Sequence, residues 1–330
     1  MQKEQGWRLP LRGLIVLCLI LLVGLVPAGG GQAADEESDD YTVDGTTVTL
    51  KVSSGDDIVE QLQRALVYAR DNATDLAPIT VKIPAGKYKF GVGSNKNSKG
   101  RIFSNTILDA TGAQITCIAG LGDHAVIMSG INGSYKNQDN YNESKLCAGY
   151  NGFKNITIKG GTWVGAKDNT NTIIRLFHAT NVTLDGVTVS GGGCAHQVEV
   201  AAINGFTVKN CTFRDYGKTG TGNSGNKKAI QLDIPREGIF GAVYLDGTPM
   251  KNVTITGCTF KNVVRGVGSH SLLLGAYHEN IKIVNNTFDD IEQQAIICLN
   301  YRNCEVKNNT ITKAGGGILF QNYKSNTDSI

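Results

Sequence analysis

Six segments in the second half of the chain share one pattern of apolar and polar positions. They cover residues 154–163, 180–189, 204–213, 251–260, 279–288 and 302–311. Each opens with an apolar–polar alternation such as Asn-Val-Thr-Ile, which is typical of a strand with one buried face. A Gly or Asn near the sixth position predicts a turn, after which a second short strand follows. Such a unit cannot bury its apolar face alone, so the pattern predicts copies stacked on one another.

Each repeat also has a further short strand. These strands are centred on Ile174, Val198, Ile230, Val267, Ile296 and Ile318, at spacings of 24, 32, 37, 29 and 22 residues. Three short strands in each turn of a solenoid predict an all-β protein of the parallel β-helix type. The Leu-x-x-Leu-x-Leu spacing of leucine-rich repeats is absent from the chain, and a propeller requires longer, four-stranded blades.

A helix is predicted ahead of the repeats, at about residues 54–72. Its apolar positions lie on one face: Ile58, Leu62, Ala65, Leu66 and Ala69. Ser54 has the residue type of an N-cap, and acidic residues fill the first turn. A solenoid needs its first coil shielded from water and from edge pairing. We therefore expect this amphipathic helix to cap the β-helix domain, which is assigned to residues 51–330.

The first 33 residues are typical of a secretory signal peptide. Three basic residues precede an apolar run at residues 13–26: Lys3, Arg8 and Arg12. Small residues around Ala33 provide a cleavage site, and a retained membrane anchor is the alternative. Residues 34–50 are assigned as a leader, and the mature protein is expected outside the cell or at its surface. Because no closing helix precedes Ile330, we expect the natural chain to continue, or a loop to close the last coil.

Composition narrows the classes of function. The chain has 330 residues, with 32 Lys and Arg against 29 Asp and Glu. Residues 1–33 contain three of those basic residues and one acidic residue, so the mature chain has 29 basic and 28 acidic residues. This balance argues against a dedicated nucleic-acid binder, and no membrane partner is expected beyond the signal peptide. We expect a monomer. Cys211 and Cys258 share one column of the repeat and are expected to stack in the core rather than form a disulfide.

Two features of the sequence resemble a known family. The first is the opening helix followed by Val81-Lys-Ile-Pro-Ala-Gly-Lys-Tyr-Lys-Phe, and the second is the repeated Asn-Val-Thr-Ile-x-x-Cys-Thr-Phe. The chain resembles the pectin-lyase-fold superfamily of right-handed parallel β-helices, which includes pectate lyases and polygalacturonases. The resemblance covers roughly residues 50–330 and implies a right-handed parallel β-helix. That superfamily contains lyases, glycoside hydrolases, epimerases and non-catalytic adhesins. The ordered motifs of polygalacturonases do not occur, so no subfamily is assigned.

Candidate chemistry follows from stacking the short strands by their central residues. Alternation then places two columns on one outward face. Together they bring Glu199, Gln231, Asp233 and His270 onto consecutive coils, with Arg265 close by. We take Asp233, His270, Glu199 and Arg265 as candidate catalytic residues. In a hydrolase, Asp233 serves as acid and Glu199 as base, in exchangeable roles. In a lyase, His270 or Arg265 takes the proton, and calcium is an optional ligand of the carboxylates. No other cofactor or metal is predicted.

Further residues are candidates for substrate binding. Lys228 and Arg175 can hold a sugar carboxylate, and Gln231 and His196 lie on the same face. The insertions 214–226 and 235–249 flank the central strand, and the second offers Phe240 and Tyr244 for stacking on sugar rings. The sequence therefore predicts cleavage of an acidic, uronate-containing polysaccharide. A non-catalytic glycan-binding or adhesin-type surface protein is the alternative.

Overall fold

The computed structural model describes residues 38–93, 99–118, 126–130, 147–166, 172–192, 196–217, 227–236 and 244–323. These residues belong to one compact unit, Asp35–Ile330. The predicted signal peptide and the last seven residues of the chain lie outside the described ranges. Within those ranges, no helix is both long and apolar enough to cross a bilayer.

The described residues form one helix and 23 strands. The first part of the chain contains β1 Tyr41–Asp44, β2 Thr47–Leu50, α1 Val59–Asn72, β3 Ile79–Lys82, β4 Gly86–Phe90, β5 Gly100–Ile102, β6 Thr106–Asp109, β7 Ala113–Cys117 and β8 Ile127–Ser129. The middle contains β9 Phe153–Lys159, β10 Thr162–Gly165, β11 Ile174–Asp185, β12 Thr188–Gly191, β13 His196–Lys209, β14 Thr212–Tyr216 and β15 Lys228–Asp233. The last part contains β16 Lys251–Thr256, β17 Thr259–Val263, β18 Val267–Gly268, β19 His278–Val284, β20 Thr287–Leu299, β21 Tyr301–Arg302, β22 Glu305–Lys307 and β23 Thr310–Gln321.

Apart from β1, which is antiparallel to β2, the strands stack in parallel on three faces of a solenoid. The first face runs through β2, β3, β6, β9, β11, β13, β16, β19 and β22. The second runs through β4, β7, β10, β12, β14, β17, β20 and β23. The third runs through β5, β8, β11, β13, β15, β18, β20 and β23. The predicted parallel β-helix is confirmed, and the predicted register holds along the third face from Ile174 to Ile318.

The N-terminal region differs in detail from expectation. The helix runs from Val59 to Asn72, and its buried face packs against β2, β3 and β5. Its N-cap residue is Ile58, whose apolar side chain cannot form a capping hydrogen bond. Ser54, the expected N-cap, lies outside the helix, and its hydroxyl donates to the Lys87 carbonyl oxygen. The segment assigned as a leader contains the antiparallel pair β1 and β2, and β2 continues the first face beside β3.

The interior of the solenoid is a continuous apolar column. On the second face, the rings of Phe213, Phe260 and Phe288 stack on successive coils, with centroids 5.1 and 4.6 Å apart. Cys211 and Cys258 are both buried as free thiols, as predicted. Each thiol donates to a main-chain carbonyl oxygen two residues before it, Lys209 O or Thr256 O.

One turn of the solenoid is marked by a ladder of asparagines. Six asparagines in left-handed backbone conformation occupy this turn, and Gly205 takes their place in one coil: Asn105, Asn155, Asn181, Asn252, Asn280 and Asn303. Their side-chain amides donate from coil to coil, for example from Asn280 Nδ2 to Asn252 Oδ1 at 2.9 Å. The Asn in each repeat therefore sets the bend and links neighbouring coils.

Candidate functional site

The third face brings the predicted polar residues into register. Arg175 of β11 pairs with Glu199 of β13, and Glu199 pairs in turn with Gln231 of β15. On the same strands, Ala201 pairs with Asp233. His196 and Lys228 are partners nearby, and His270 follows β18 two residues after Gly268. We call Arg175, His196, Glu199, Lys228, Gln231, Asp233 and His270 the polar cluster.

The polar cluster is more buried than the sequence predicted. The residues were expected on an exposed outer face, yet Gln231 and Asp233 are 0% exposed, Lys228 is 1% and Glu199 is 6% exposed. That expectation of exposure is wrong. Strands stacked about 4.8 Å apart bring long side chains from neighbouring coils against one another, so they cover each other from solvent. His270 and Arg265 are only partly buried and form the accessible margin.

Arg175 and Glu199 form a buried ion pair. Arg175 Nε lies 3.0 Å from Glu199 Oε2, and the Thr172 hydroxyl donates to the same oxygen at 3.4 Å. Burial raises the pKa of Glu199, while the Arg175 charge and the Thr172 hydrogen bond oppose that shift. The register of β11 and β13 makes this pairing, and it holds the Glu199 carboxylate toward Arg175.

Asp233 has an unusual environment for a carboxyl group. Its Oδ1 accepts a hydrogen bond from the Ile234 amide at 2.9 Å, and its Oδ2 has no hydrogen-bond partner. Burial, with a further contribution from the Glu199 charge, raises the pKa of Asp233 to about 7. A carboxyl group with this pKa keeps its proton up to neutral pH and can donate it to a bound molecule.

Lys228 and the two histidines lie beside this acid. Lys228 Nζ is 3.4 Å from His270 Nδ1, and the Lys228 amide donates to His196 Nδ1 at 3.3 Å. The His196 and His270 rings stack with centroids 5.5 Å apart. Burial, together with the charge of Arg265, lowers the pKa of Lys228 to about 7. Burial and the neighbouring cations lower the pKa of His270 to about 3, so its imidazole is neutral at neutral pH.

Asp233 and His270, which the sequence placed on consecutive coils, make their hydrogen bonds to different partners. His270 shares its hydrogen bond with Lys228, whereas Asp233 accepts from the main chain of Ile234. Lys228 links the two groups electrostatically, because its charge lowers the pKa of both. Lys228 is thus more central to the polar cluster than the sequence indicated.

The remaining candidates lie at the margin or apart. Arg265 Nε donates to Gln294 Oε1 at 2.9 Å, beside the polar cluster. Gln231 keeps its side-chain Oε1 buried and unpartnered. The Tyr244 carbonyl oxygen lies 2.8 Å from His178 Nε2, which ties its segment to β11. Phe240 lies outside the described residues.

Sequence reasoning missed Tyr301 and Ser269. Their hydroxyls lie 2.9 Å apart, and the charge of Asp233 is among the influences that raise the pKa of Tyr301. Tyr301 pairs with His278 on the first face, at the coil after Ser269. Only the coil register could have shown this, because neither residue belongs to the repeated motif.

The calcium option was tested against the donor groups present. Across the described ranges, no three His, Cys, Asp or Glu side chains are grouped to hold a metal ion. Glu199 is paired with Arg175, and Asp233 is half-protonated near neutral pH because its pKa is about 7. These carboxyls do not fit the charged oxygen ligands that calcium prefers, so no chemistry through calcium is derived.

The chain matches the family model of the right handed beta helix region over residues 129–328. It therefore belongs to the right-handed β-helix family, and the expected superfamily is confirmed.

Two comparisons find similar proteins in Streptococcus pneumoniae. It is 26% identical over 156 residues to plasmin and fibronectin-binding protein A of Streptococcus pneumoniae, a match covering 44% of this chain and 22% of that protein. The chain thus spans about a fifth of that relative. The crystal structure of PfbA, a surface adhesin of Streptococcus pneumoniae, superposes with a TM-score of 0.64 at 21% identity, covering 84% of this chain and 69% of that chain. This structural likeness shows a shared fold.

A solved enzyme structure gives a lower TM-score. A family 28 exopolygalacturonase of Yersinia enterocolitica gives a TM-score of 0.46 at 14% identity, covering 81% of this chain and 62% of that chain.

Proposed function

We propose that the polar cluster is an acid–base site that cleaves an acidic, uronate-containing polysaccharide. The observation that carries this proposal is Asp233, a fully buried carboxyl with an unpartnered Oδ2 and a pKa of about 7. The fold itself does not require this group, since burying a carboxyl with one oxygen unpartnered destabilises the native state. Perturbed titratable groups gathered at one place are characteristic of catalytic sites.

In the proposed hydrolysis, Asp233 donates its proton to the glycosidic oxygen as the bond to the anomeric carbon breaks. Water adds to that carbon and gives a proton to Glu199, which Arg175 holds in place. Lys228 and Arg265 bind the sugar carboxylate, and the substrate enters past the partly exposed His270. Hydrolysis is favoured over elimination because the cluster offers a protonated acid at neutral pH, whereas the His270 Nδ1 that would serve as base is engaged by Lys228.

The test uses the mature protein with polygalacturonate, alginate and neutral glucans. Reducing ends and the ultraviolet absorbance of unsaturated uronates are followed together. We expect reducing ends without that absorbance, and a loss of about a hundredfold or more in Asp233→Asn. Asp289→Asn is the matched control, since that carboxylate lies near Lys261 on the second face. Full activity of Asp233→Asn would overturn the assignment of Asp233 as the acid. Unsaturated products would show that the reaction is elimination and not hydrolysis.

Binding without cleavage is the second candidate. The observation that favours it is the sequence match to a protein named for binding plasmin and fibronectin. This candidate predicts retention of plasmin, fibronectin or a glycan on the immobilised chain, with no product from any polysaccharide. Binding that survives Asp233→Asn, combined with absent cleavage, would support it over the enzyme.

Both candidates share one setting. We infer an extracellular or cell-surface location, with residues 1–33 removed on export, and action as a monomer.

We also propose that α1 closes the first coil, since Leu62, Leu66 and Ala69 bury one face of the helix on the solenoid.

A further inference from the structure

We infer that Cys298 and Cys304 form an intramolecular disulfide bond. Cys298 is the last but one residue of β20, and Cys304 precedes β22 on the next turn of the chain. Their Sγ atoms lie 3.8 Å apart. A disulfide requires about 2.05 Å between the sulfurs, a closure that side-chain rotation and a small backbone adjustment can supply.

A second pair of neighbouring thiols differs from Cys298 and Cys304 in its access to an oxidant. Cys211 and Cys258 also interact, but both are 1% exposed and both donate to main-chain carbonyl oxygens. No oxidant can reach either thiol while the coil is folded. Cys304, by contrast, is partly exposed, and its buried neighbour Cys298 directs its thiol toward it. One accessible thiol beside a buried one is the arrangement that thiol–disulfide exchange needs.

The reaction requires a low-molecular-weight disulfide as oxidant. The hydrogen bond from Cys298 lowers the pKa of Cys304, which therefore reacts first as a thiolate. It attacks one sulfur of the oxidant, forming a mixed disulfide and releasing one small thiol. Cys298 then loses its proton and displaces the second small thiol. Two protein thiols are oxidised, and one external disulfide is reduced to two thiols.

The bond would fasten a turn that lies next to the polar cluster. The closed loop contains Tyr301, whose hydroxyl meets Ser269 at 2.9 Å and whose ring packs edge-on to His278 at 5.3 Å. Ser269 immediately precedes His270. The bridge therefore holds Tyr301 in place without contacting the residues assigned to catalysis, and the inference does not depend on the proposed activity.

The first experiment is peptide mapping of the mature protein after incubation with oxidised glutathione. The protein is denatured with an alkylating reagent and digested with trypsin. Because Arg302 lies between the two cysteines, they fall in different tryptic peptides. We expect these peptides to be joined and two hydrogens lighter, while Cys211 and Cys258 are alkylated. Recovery of Cys298 and Cys304 as alkylated or glutathione-bound residues overturns the inference.

A thermal unfolding measurement gives a second readout. Reductant is expected to lower the Tm of the oxidised protein by about 4 °C, because the short crosslinked loop is released. Cys304→Ser should have the lower Tm with and without reductant, whereas Cys211→Ser should keep the sensitivity to reductant. Equal sensitivity in Cys304→Ser would show that another cysteine is responsible and would contradict the assignment.

Discussion

The Asp233 carboxyl lies among groups that favour its protonated form. Burial removes water from both oxygens, and Glu199 adds a nearby negative charge. The opposing contributions from the Ile234 amide, the Lys228 charge and the Gln231 side chain are smaller, so the pKa rises to about 7. A proton that a free aspartate loses near pH 4 is thus retained up to neutral pH in the folded protein.

This difference makes stability depend on pH in a defined direction. The folded-state pKa lies above the unfolded value, so Asp233 adds no penalty in acid, and stability is lost as the pH rises through about 7. Asp233→Asn cannot ionise. Relative to the native protein, it should gain on the order of 4 kcal/mol between pH 4 and pH 8.

Urea unfolding followed by circular dichroism at pH 4, 5, 6, 7 and 8 measures this gain. Asp289→Asn serves as the control, because that carboxylate is partly exposed beside Lys261. A stability difference between Asp233→Asn and the native protein that stays constant across the series would contradict the assigned pKa.

At the residue scale, the sequence predicted the strand positions of the site residues better than their side-chain contacts and burial. The alternation of strands placed Glu199, Gln231 and Asp233 in the correct columns, because register follows from the repeat. It could not predict that Arg175 pairs with Glu199 or that Lys228 meets His270, since side-chain conformations decide those contacts. Burial of the cluster likewise depends on neighbouring side chains rather than on alternation.

At the scale of elements, the asparagine ladder combines a backbone and a side-chain effect. Asn252 has a φ of 54°, donates to Asn204 Oδ1 at 2.7 Å and accepts from Asn280 Nδ2 at 2.9 Å. Gly205 occupies the equivalent position in the preceding coil, and there Asn204 provides the acceptor. The turn can therefore lack the asparagine side chain when the residue is glycine, because glycine adopts the left-handed conformation without strain.

Substitution at Asn252 separates the two effects. Asn252→Ala loses both hydrogen bonds. It also places an alanine, which has a Cβ atom but no side-chain hydrogen bond to compensate, in the left-handed region. We therefore expect about 2 kcal/mol of destabilisation. Asn252→Gly loses only the hydrogen bonds and should cost roughly half as much. Chemical denaturation of both variants makes the comparison. If glycine were as destabilising as alanine, the backbone would not be the reason for Asn at this turn.

The repeat made most elements predictable, and its absence explains the exceptions. Strands of the six segments followed from period-two alternation and turn residues. The hairpin of β1 and β2 was missed because each strand has only four residues and no repeat to identify it. The helix starts at Val59 because Asp57 accepts hydrogen bonds from Gly91 and Val92, fixing the preceding segment against β4 and the loop that follows it.

At the scale of the whole molecule, one apolar core runs from Val43 to Cys298 through all three faces. In a solenoid, each coil is stabilised by its neighbours, so coupling between distant coils depends on how well the interfaces are packed. The stacked rings of Phe213, Phe260 and Phe288 provide close contact across three coils. We therefore expect the coils to unfold together rather than separately.

Trp163 provides a local probe of this coupling. The chain has two tryptophans, and Trp7 lies in the predicted signal peptide, so fluorescence of the mature protein reports on Trp163. Trp163 is fully buried in β10, which is separated from β17 by β12 and β14 on the same face. Phe260→Ala in β17 removes the central ring of the stack and should cost about 3 kcal/mol or more.

If the core is one cooperative unit, Phe260→Ala lowers the urea midpoint seen by Trp163 fluorescence and by circular dichroism equally, although the two residues lie on separate coils. Coincident midpoints in the unmodified protein are the first requirement. Leu66→Ala in α1 is the reciprocal test, since it removes a buried side chain near the opposite end of the core and should again shift both signals together. Should Trp163 keep its midpoint while circular dichroism changes, the coils near β17 unfold on their own, and the phenylalanine stack does not transmit stability along the solenoid.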